Sequence, residues 1–342
     1  MRDTRRTRDP ASTSGDRLTG DEAERRLSAL ADPRNDHLDL AAFTGLDLAA
    51  AHALRASDAL MLRLDGLTAL DAATARALVD PAHLDRQITL NGLRSLDAPT
   101  ATALAKHRGW GLALDGLATL EPGVVDALSV KSFRHLSLNG LVELGAGAAH
   151  SLARTKPQGL SLNGLTRLDI ETAAALGTGT GTLSLEGLAA LAEPVADALG
   201  AFRGAVLRLN GLRALTLGTA YGLAHLKRYA LELNAVTALD ARAARGLAGY
   251  LGSMLCLDGV AELDARTAAA LVAGASTDVA LQLNGLSSLD AAVAEALAAF
   301  MGRELGLRGL PTLAPDAAAA LEKYAGRVYL ARSNASALAN RA

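Results

Sequence analysis

Leucines recur along this chain at fixed offsets. From Leu38 onward the pattern L-x-L-x-G-L-x-x-L-x-x-x-x-A-x-A-L repeats, opening at Leu38, Leu62, Ile88, Leu112, Leu136, Leu160, Leu183, Leu207, Leu231, Leu255, Leu281 and Leu305. The spacing is 24 residues, with one copy of 23 and two of 26. Within each copy, apolar residues at positions 1 and 3 flank a variable one, a period of 2 that predicts a short strand with one buried face. Position 6 (Leu in nine copies, Phe43, Val236 and Val260 in the others) and position 9 (always Leu) are expected to turn inward again. Position 14 is Ala in eleven copies and position 17 always Leu. These stand about one helical turn apart, which predicts a short helix with a buried stripe. Each copy therefore reads as strand, inward turn, short helix and return loop. Self-similarity at this period marks a stacked repeat, in which each copy buries its apolar side against its neighbours.

The polar positions agree with that reading. Position 10 is acidic in eight copies (Asp47, Asp71, Asp97, Glu121, Asp169, Asp240, Asp264, Asp290). There a carboxylate can accept the free N–H groups of a helix start, where the dipole also favours negative charge. Pro99, Pro122, Pro194 and Pro315 fall in the first helical turn, the one place a helix accepts proline. Position 5 is Gly in ten copies, with Ala42 and Ala235 as exceptions. It implies either a backbone angle that side chains dislike or close approach of the neighbouring coil. Strands stack ~4.8 Å apart while helices prefer ~8–10 Å, so the stack is expected to bend with its strands on the concave side.

The ends differ. Residues 1–17 are rich in Arg, Ser and Thr and are expected to form a disordered tail, whose Arg2, Arg5, Arg6 and Arg8 could touch an acidic partner. Thr19 and Glu22 have capping-box spacing, so 18–37 reads as an N-terminal helical cap. The twelve repeats occupy 38–328, and 329–342 reads as a C-terminal cap or tail, with Val328 and Leu330 able to pair as a further strand.

The repeated pattern resembles the leucine-rich repeat family, particularly its bacterial and ribonuclease-inhibitor-like strand–helix members, over residues 38 to 328. The resemblance implies an α/β, right-handed solenoid with a parallel sheet on the concave side and short helices on the convex side. It also implies a concave strand face used for binding. One departure stands out. The family usually carries Asn or Cys at position 6 to satisfy the turn, and this chain carries Leu, Val or Phe, so the turn must be satisfied through position 4 or 5 in an irregular class of the repeat.

Composition narrows the function. A net charge of −2 from 34 basic and 36 acidic residues gives no general attraction to nucleic acid or to an anionic membrane. The chain lacks the ~18 consecutive apolar residues of a membrane span, and its charged start has no apolar segment behind it as a Sec signal would. A single cysteine, Cys256, rules out an internal disulfide framework and suits the cytoplasm, with export as an effector without a Sec signal left open. Half the residues are hydrophobic but only 3% aromatic, so Leu and Ala must fill the core.

Two columns are candidate sites. Position 2 should face the concave surface, and its candidate partner contacts are Arg63, Thr89, Ser137, Ser161, Ser184, Arg208, Glu232 and Gln282. Arg63 and Arg208 are its only residues of the type that dominates interfaces. Cys256 occupies the same column and is expected to be an ordinary surface thiol. Position 4 carries Asp65, Asn91, Asp115, Asn139, Asn163, Glu186, Asn210, Asn234, Asp258 and Asn284, in which no two acids are neighbours. That alternation predicts a ladder in which each amide donates to one neighbouring side chain and accepts from the other. Such residues also stabilise turns at strand ends. The aromatics Trp110, Phe133, Phe202, Tyr229, Tyr250, Phe300 and Tyr324 should plug the return loops, with an exposed patch around Trp110 and Phe133 as the alternative.

Catalytic signals are weak. The seven histidines (His37, His52, His83, His107, His135, His150, His225) fall at differing repeat positions, and no metalloprotease, nucleophile-elbow or P-loop spacing occurs. The run Gly177–Gly181 has the look of a phosphate cradle, but no lysine or strand-to-helix turn follows, so it reads as a loop. No metal or cofactor is expected. The reading is a non-enzymatic scaffold that binds another protein through its concave strand face, not nucleic acid and not a membrane. The alternative is a structural protein that self-associates through its ends or faces.

Overall fold

The computed structural model describes residues 17–29, 37–79, 84–130, 133–227 and 230–334. The expected tail before Arg17, residues 335–342, His83 and Tyr229 lie outside the described residues. Two compact units divide the chain, residues 1–140 and 141–342.

In the first unit, the strands His37–Asp39, Met61–Arg63, Gln87–Thr89, Gly111–Ala113 and His135–Ser137 pair in parallel in chain order. In the second, Gly159–Ser161, Thr182–Ser184, Val206–Arg208, Ala230–Glu232, Met254–Cys256, Ala280–Gln282, Glu304–Leu307 and Arg327–Leu330 do the same. The register places position 1 beside position 1 throughout: Leu62 opposite Ile88, Leu231 opposite Leu255. One short helix follows each of these strands up to Glu304–Leu307, from Leu48–Ala56 to Pro315–Leu321.

The core follows the repeat. Position 3 is fully buried in every coil, and positions 1, 6, 14 and 17 are buried as well. Position 9 departs from expectation. Only Leu46 and Leu289 are buried there, and the other ten leucines are half-buried. They stand just before the helix cap, where the chain turns the corner between sheet and helix and is covered from one side only.

Seven of the eight acids at position 10 cap their helices, as in Asp97 accepting from the Thr100 N–H at 2.8 Å and Asp264 from that of Thr267 at 2.7 Å. Glu121 makes no cap bond, because its longer side chain overshoots the N–H groups that an Asp reaches. Thr216 serves instead of an acid, accepting from the Thr219 N–H at 3.1 Å. Position 13 brings in buried threonines. Those of Thr172 and Thr219 donate to the Leu144 and Leu191 carbonyls of the preceding coil at 3.1 and 3.3 Å.

At the N-terminus, Arg17–Leu18 is a strand, not part of a tail. It runs parallel to Gly45–Leu46, at positions 8 and 9 of the first repeat, and covers Leu46. The helix Gly20–Ala29 then sets fully buried Ala23 where position 14 would fall. This cap is the second half of a repeat, with the charged Arg25 and Arg26 at places that elsewhere hold Ala and Leu. At the other end Arg327–Leu330 pairs with Glu304–Leu307, crossing the boundary drawn at residue 328.

Candidate functional site

The strand face is built from positions 2 and 4, which flank the buried leucine at position 3. Position 4 does not form the expected chain of side chains. Its side-chain oxygen instead accepts the backbone N–H of position 4 in the next coil. Asp65 accepts from Asn91 at 3.0 Å, Asn91 from Asp115 at 2.9 Å and Asp115 from Asn139 at 2.8 Å. In the second unit Asn163 accepts from Glu186 at 3.0 Å, and Asn210, Asn234, Asp258 and Asn284 each accept from the next coil, the last from Arg308, at 2.9 to 3.1 Å. A single amide-to-acid bond of the expected kind is present among the described residues, from Asn210 Nδ2 to Glu186 Oε1 at 3.2 Å. A backbone N–H at this corner would otherwise be left without a partner. The column is therefore the turn satisfaction that an apolar position 6 cannot supply.

Position 5 completes this joint. A Cβ on Gly92, Gly211 or Gly285 would fall inside contact distance of the position-4 carbonyl oxygen of the preceding coil. Among the described residues only Gly274 and Lys156 have positive φ, so close approach explains these glycines.

Position 2 is tied into the same network. Arg63 donates to Asp65 at 2.9 Å and to Asp39 at 3.3 Å, and Arg208 donates to Glu232 at 3.1 Å. Burial alone would raise the Asp65 pKa, but the bonds from Arg63 and the Asn91 N–H outweigh it and leave the carboxyl below the usual range. Ser137 donates to Asp115 at 2.6 Å, Ser184 to Asn163 at 2.8 Å, and Gln282 accepts from Asn284 at 3.1 Å.

No protein-family model matches the chain, and no curated protein matches it in sequence. Among solved structures, that of a TLR13–ssRNA13 complex aligns with 80% of this chain at 18% identity and a TM-score of 0.51, and this chain spans 40% of the length of that one. A chain of the Drosophila Toll–Spatzle complex aligns with 79% at 15% identity and a TM-score of 0.49, over 36% of its own length. The internalin inlF of Listeria monocytogenes aligns with 94% at 16% identity and a TM-score of 0.44, over 87% of its length. All three are leucine-rich-repeat proteins, and the first carries the likeness of fold. The chain has the leucine-rich-repeat fold.

Within this leucine-rich-repeat frame the position-2 column is less open than expected. Arg63 is exposed and Thr89, Ser137, Ser161, Arg208, Glu232 and Gln282 are half-buried, but Ser184 is buried. Cys256 is also buried, at 8% exposure, so it is no surface thiol. Burial, with Asp258 and Glu232 beside it, pushes its thiol up to about 12.

The return loops hold what the repeat pattern missed. Phe133, Phe202, Tyr250, Phe300 and Tyr324 are buried plugs, whereas Trp110 is 48% exposed. The rings of Phe202, Tyr250, Phe300 and Tyr324 lie over the glycine two residues on, where a Cβ would strike them. His107 lies over Gly109 in the same way, buried, with Nε2 donating to the Arg86 carbonyl at 3.1 Å and Nδ1 without a partner. The motif His107-Arg108-Gly109 matches Phe202-Arg203-Gly204, and that aromatic-x-Gly spacing was the available signal. Arg86 is buried too. Its guanidinium donates to the carbonyls of Ala59, Leu54, Arg55 and Ser57, closing the C-terminal end of the first repeat's helix.

Among the described residues no three of His, Cys, Asp and Glu are grouped to hold a metal ion. No described helix is long and apolar enough to cross a membrane.

Proposed function

We propose that this chain is a non-enzymatic repeat scaffold that binds another protein across its strand face. The observation that carries the reading is the hydrogen-bonded lattice of positions 2 and 4. It holds a row of polar side chains in fixed places before any partner arrives, and so lowers the ordering cost of association. The fold has many uses, so the reading rests on this face and not on the likeness alone. The solved structure that carries the likeness of fold is a complex with single-stranded RNA, so the fold by itself does not choose the class of partner. The near-balanced charge of this chain favours protein over nucleic acid here.

The test is recovery of a bound protein by the wild-type chain against a variant carrying Arg63→Glu and Arg208→Glu. Loss of that protein with the variant supports contact at the strand face, and undiminished recovery removes it. A screen for hydrolase and nucleotide turnover checks the non-enzymatic part, and clear turnover overturns it.

The strand Arg327–Leu330 favours self-association as a second reading. Val328 and Leu330 are half-buried where every other position 1 and 3 is buried, and no described coil follows them. In each unit the position-3 N–H donates to the next coil, as from Leu283 to the Gly306 carbonyl at 2.9 Å, and among the described residues no strand stands beyond Leu330 to accept its N–H. Such an edge invites strand addition. Light scattering over a concentration series, with Leu330→Pro as the variant, tests it: a mass that rises with concentration only in the wild type supports assembly through this edge.

A further inference from the structure

We propose that the return-loop edge around Trp110 is a second docking surface, separate from the strand face, for an acidic segment of another protein carrying an apolar anchor residue. Trp110 is the only tryptophan in the chain, and its ring stands 48% exposed while the other described return-loop aromatics are buried. It is held in place from the next coil. The Arg134 guanidinium lies over its ring, 5.7 Å from the centroid, and the His135 ring lies 4.7 Å away at 36°. Arg134 also reaches back to the Leu84 carbonyl at 3.4 Å and to Asp85 at 3.5 Å. The indole is thus a half-exposed apolar surface held between a guanidinium and an imidazole ring, and Trp and Arg are residue types that concentrate binding energy at interfaces.

Basic residues outnumber acids around it. Lys106, Arg108 and Trp110 are exposed within five residues of one return loop, while His107 and Gly109 between them are buried. Neither Lys106 nor Arg108 is paired with a carboxylate among the described residues, and Asp85 is the acid facing Arg134. In a chain of net charge −2 this is a local excess of positive charge. Two exposed leucines lie on the same edge. Leu84 is 55% exposed and tied to Arg134, and Leu60 is 44% exposed two coils before Trp110 in the same column. An acidic strand would complement the cations and place an apolar side chain against the indole and the leucines. Single-stranded nucleic acid fits less well, because it asks for successive aromatic platforms along a basic track. Here leucines stand where further rings would be needed.

The single tryptophan makes the site its own reporter. The full chain is titrated with a synthetic Glu-Glu-Leu repeat peptide, with the Lys-Lys-Leu version and with oligo(dT), while Trp110 emission is followed. The acidic peptide is expected to shift the emission to shorter wavelength, to saturate, and to weaken as salt is raised. Lys106→Glu with Arg108→Glu, both surface changes checked by circular dichroism, is expected to weaken binding roughly tenfold or more. Calorimetry with Trp110→Ala should show the heat of binding lost. No emission change, an equal response to the lysine peptide, or tighter binding of oligo(dT) would each overturn the proposal.

Discussion

The amide oxygen of Asn91 accepts the backbone N–H of Asp115, one coil further on, at 2.9 Å. The same relation links Asp65 to Asn91 before it and Asp115 to Asn139 after it. Asn91→Ala would strand the Asp115 N–H at a half-buried corner. The expected cost is about 1–3 kcal/mol, read as a lower urea midpoint with an unchanged slope. Replacing Ala41, which heads the column without such a bond to the next coil, should shift the midpoint far less.

The glycines sort by what lies above them. Gly285→Ala would drive a Cβ into the Asp258 carbonyl, and the coils would have to part to admit it. A loss of roughly 2 kcal/mol or more is expected, as for other substitutions that overfill a packed site. Gly147 lies in the helix Ala146–Arg154 with nothing near its missing Cβ. There Ala should stabilise by about 0.5–1 kcal/mol, since only the entropy of the unfolded chain changes. Thermal melts of the two variants should therefore move in opposite directions.

The strand, the helix and the buried stripe were legible because the same physical demand recurs in every coil, and twelve repetitions separate it from chance. The corner was read only in part. Leucine at position 9 announces an apolar site, but hydrophobicity does not say whether one side or all sides are covered. The position-4 column was visible as polar, yet which atom its oxygen reaches depends on where the next backbone N–H lies, which composition does not encode. Arg17–Leu18 escaped notice because half a repeat offers too few matching residues. His107 and Arg86 belong to single coils, and a pattern that averages over coils hides what one coil does alone. The same limit applies to binding: the repeat supplies a face, and individual side chains such as Trp110 give it character.

Cys256 sits in the position-2 column between Glu232 and Gln282, its pairing neighbours in the coils on either side, with Asp258 two residues on in its own coil. Burial first, and then the two carboxylates, raise its thiol to about 12. The thiolate is the reactive form, so at pH 8 the native thiol should be nearly inert. A colorimetric thiol reagent is expected to react slowly with the folded chain and within the mixing time once urea unfolds it. Fast reaction in the native state would place the thiol at the surface after all.

His107 gives the fold a dependence on acid. Burial, with the Arg86 guanidinium adding repulsion, lowers the imidazole from 6.5 to about 4, against the opposing pull of the bond to the Arg86 carbonyl. The neutral ring is thus favoured in the folded chain, and the unfolded chain takes up the proton first. The stability that this group contributes is fully present above pH 6.5 and drains away as the pH falls toward 4. A displacement of that size corresponds to about 3 kcal/mol across the window. His107→Phe keeps a ring over Gly109, as Phe202 and Phe300 keep theirs over Gly204 and Gly302. It gives up the bond to Arg86, so the variant should start lower at pH 7.5. Its urea midpoint should then fall less steeply than that of the wild type on the way to pH 4.5, because no proton can be taken up at this site on unfolding. Equal slopes for the two proteins would mean that the ring takes up its proton as readily in the folded chain as in the unfolded one.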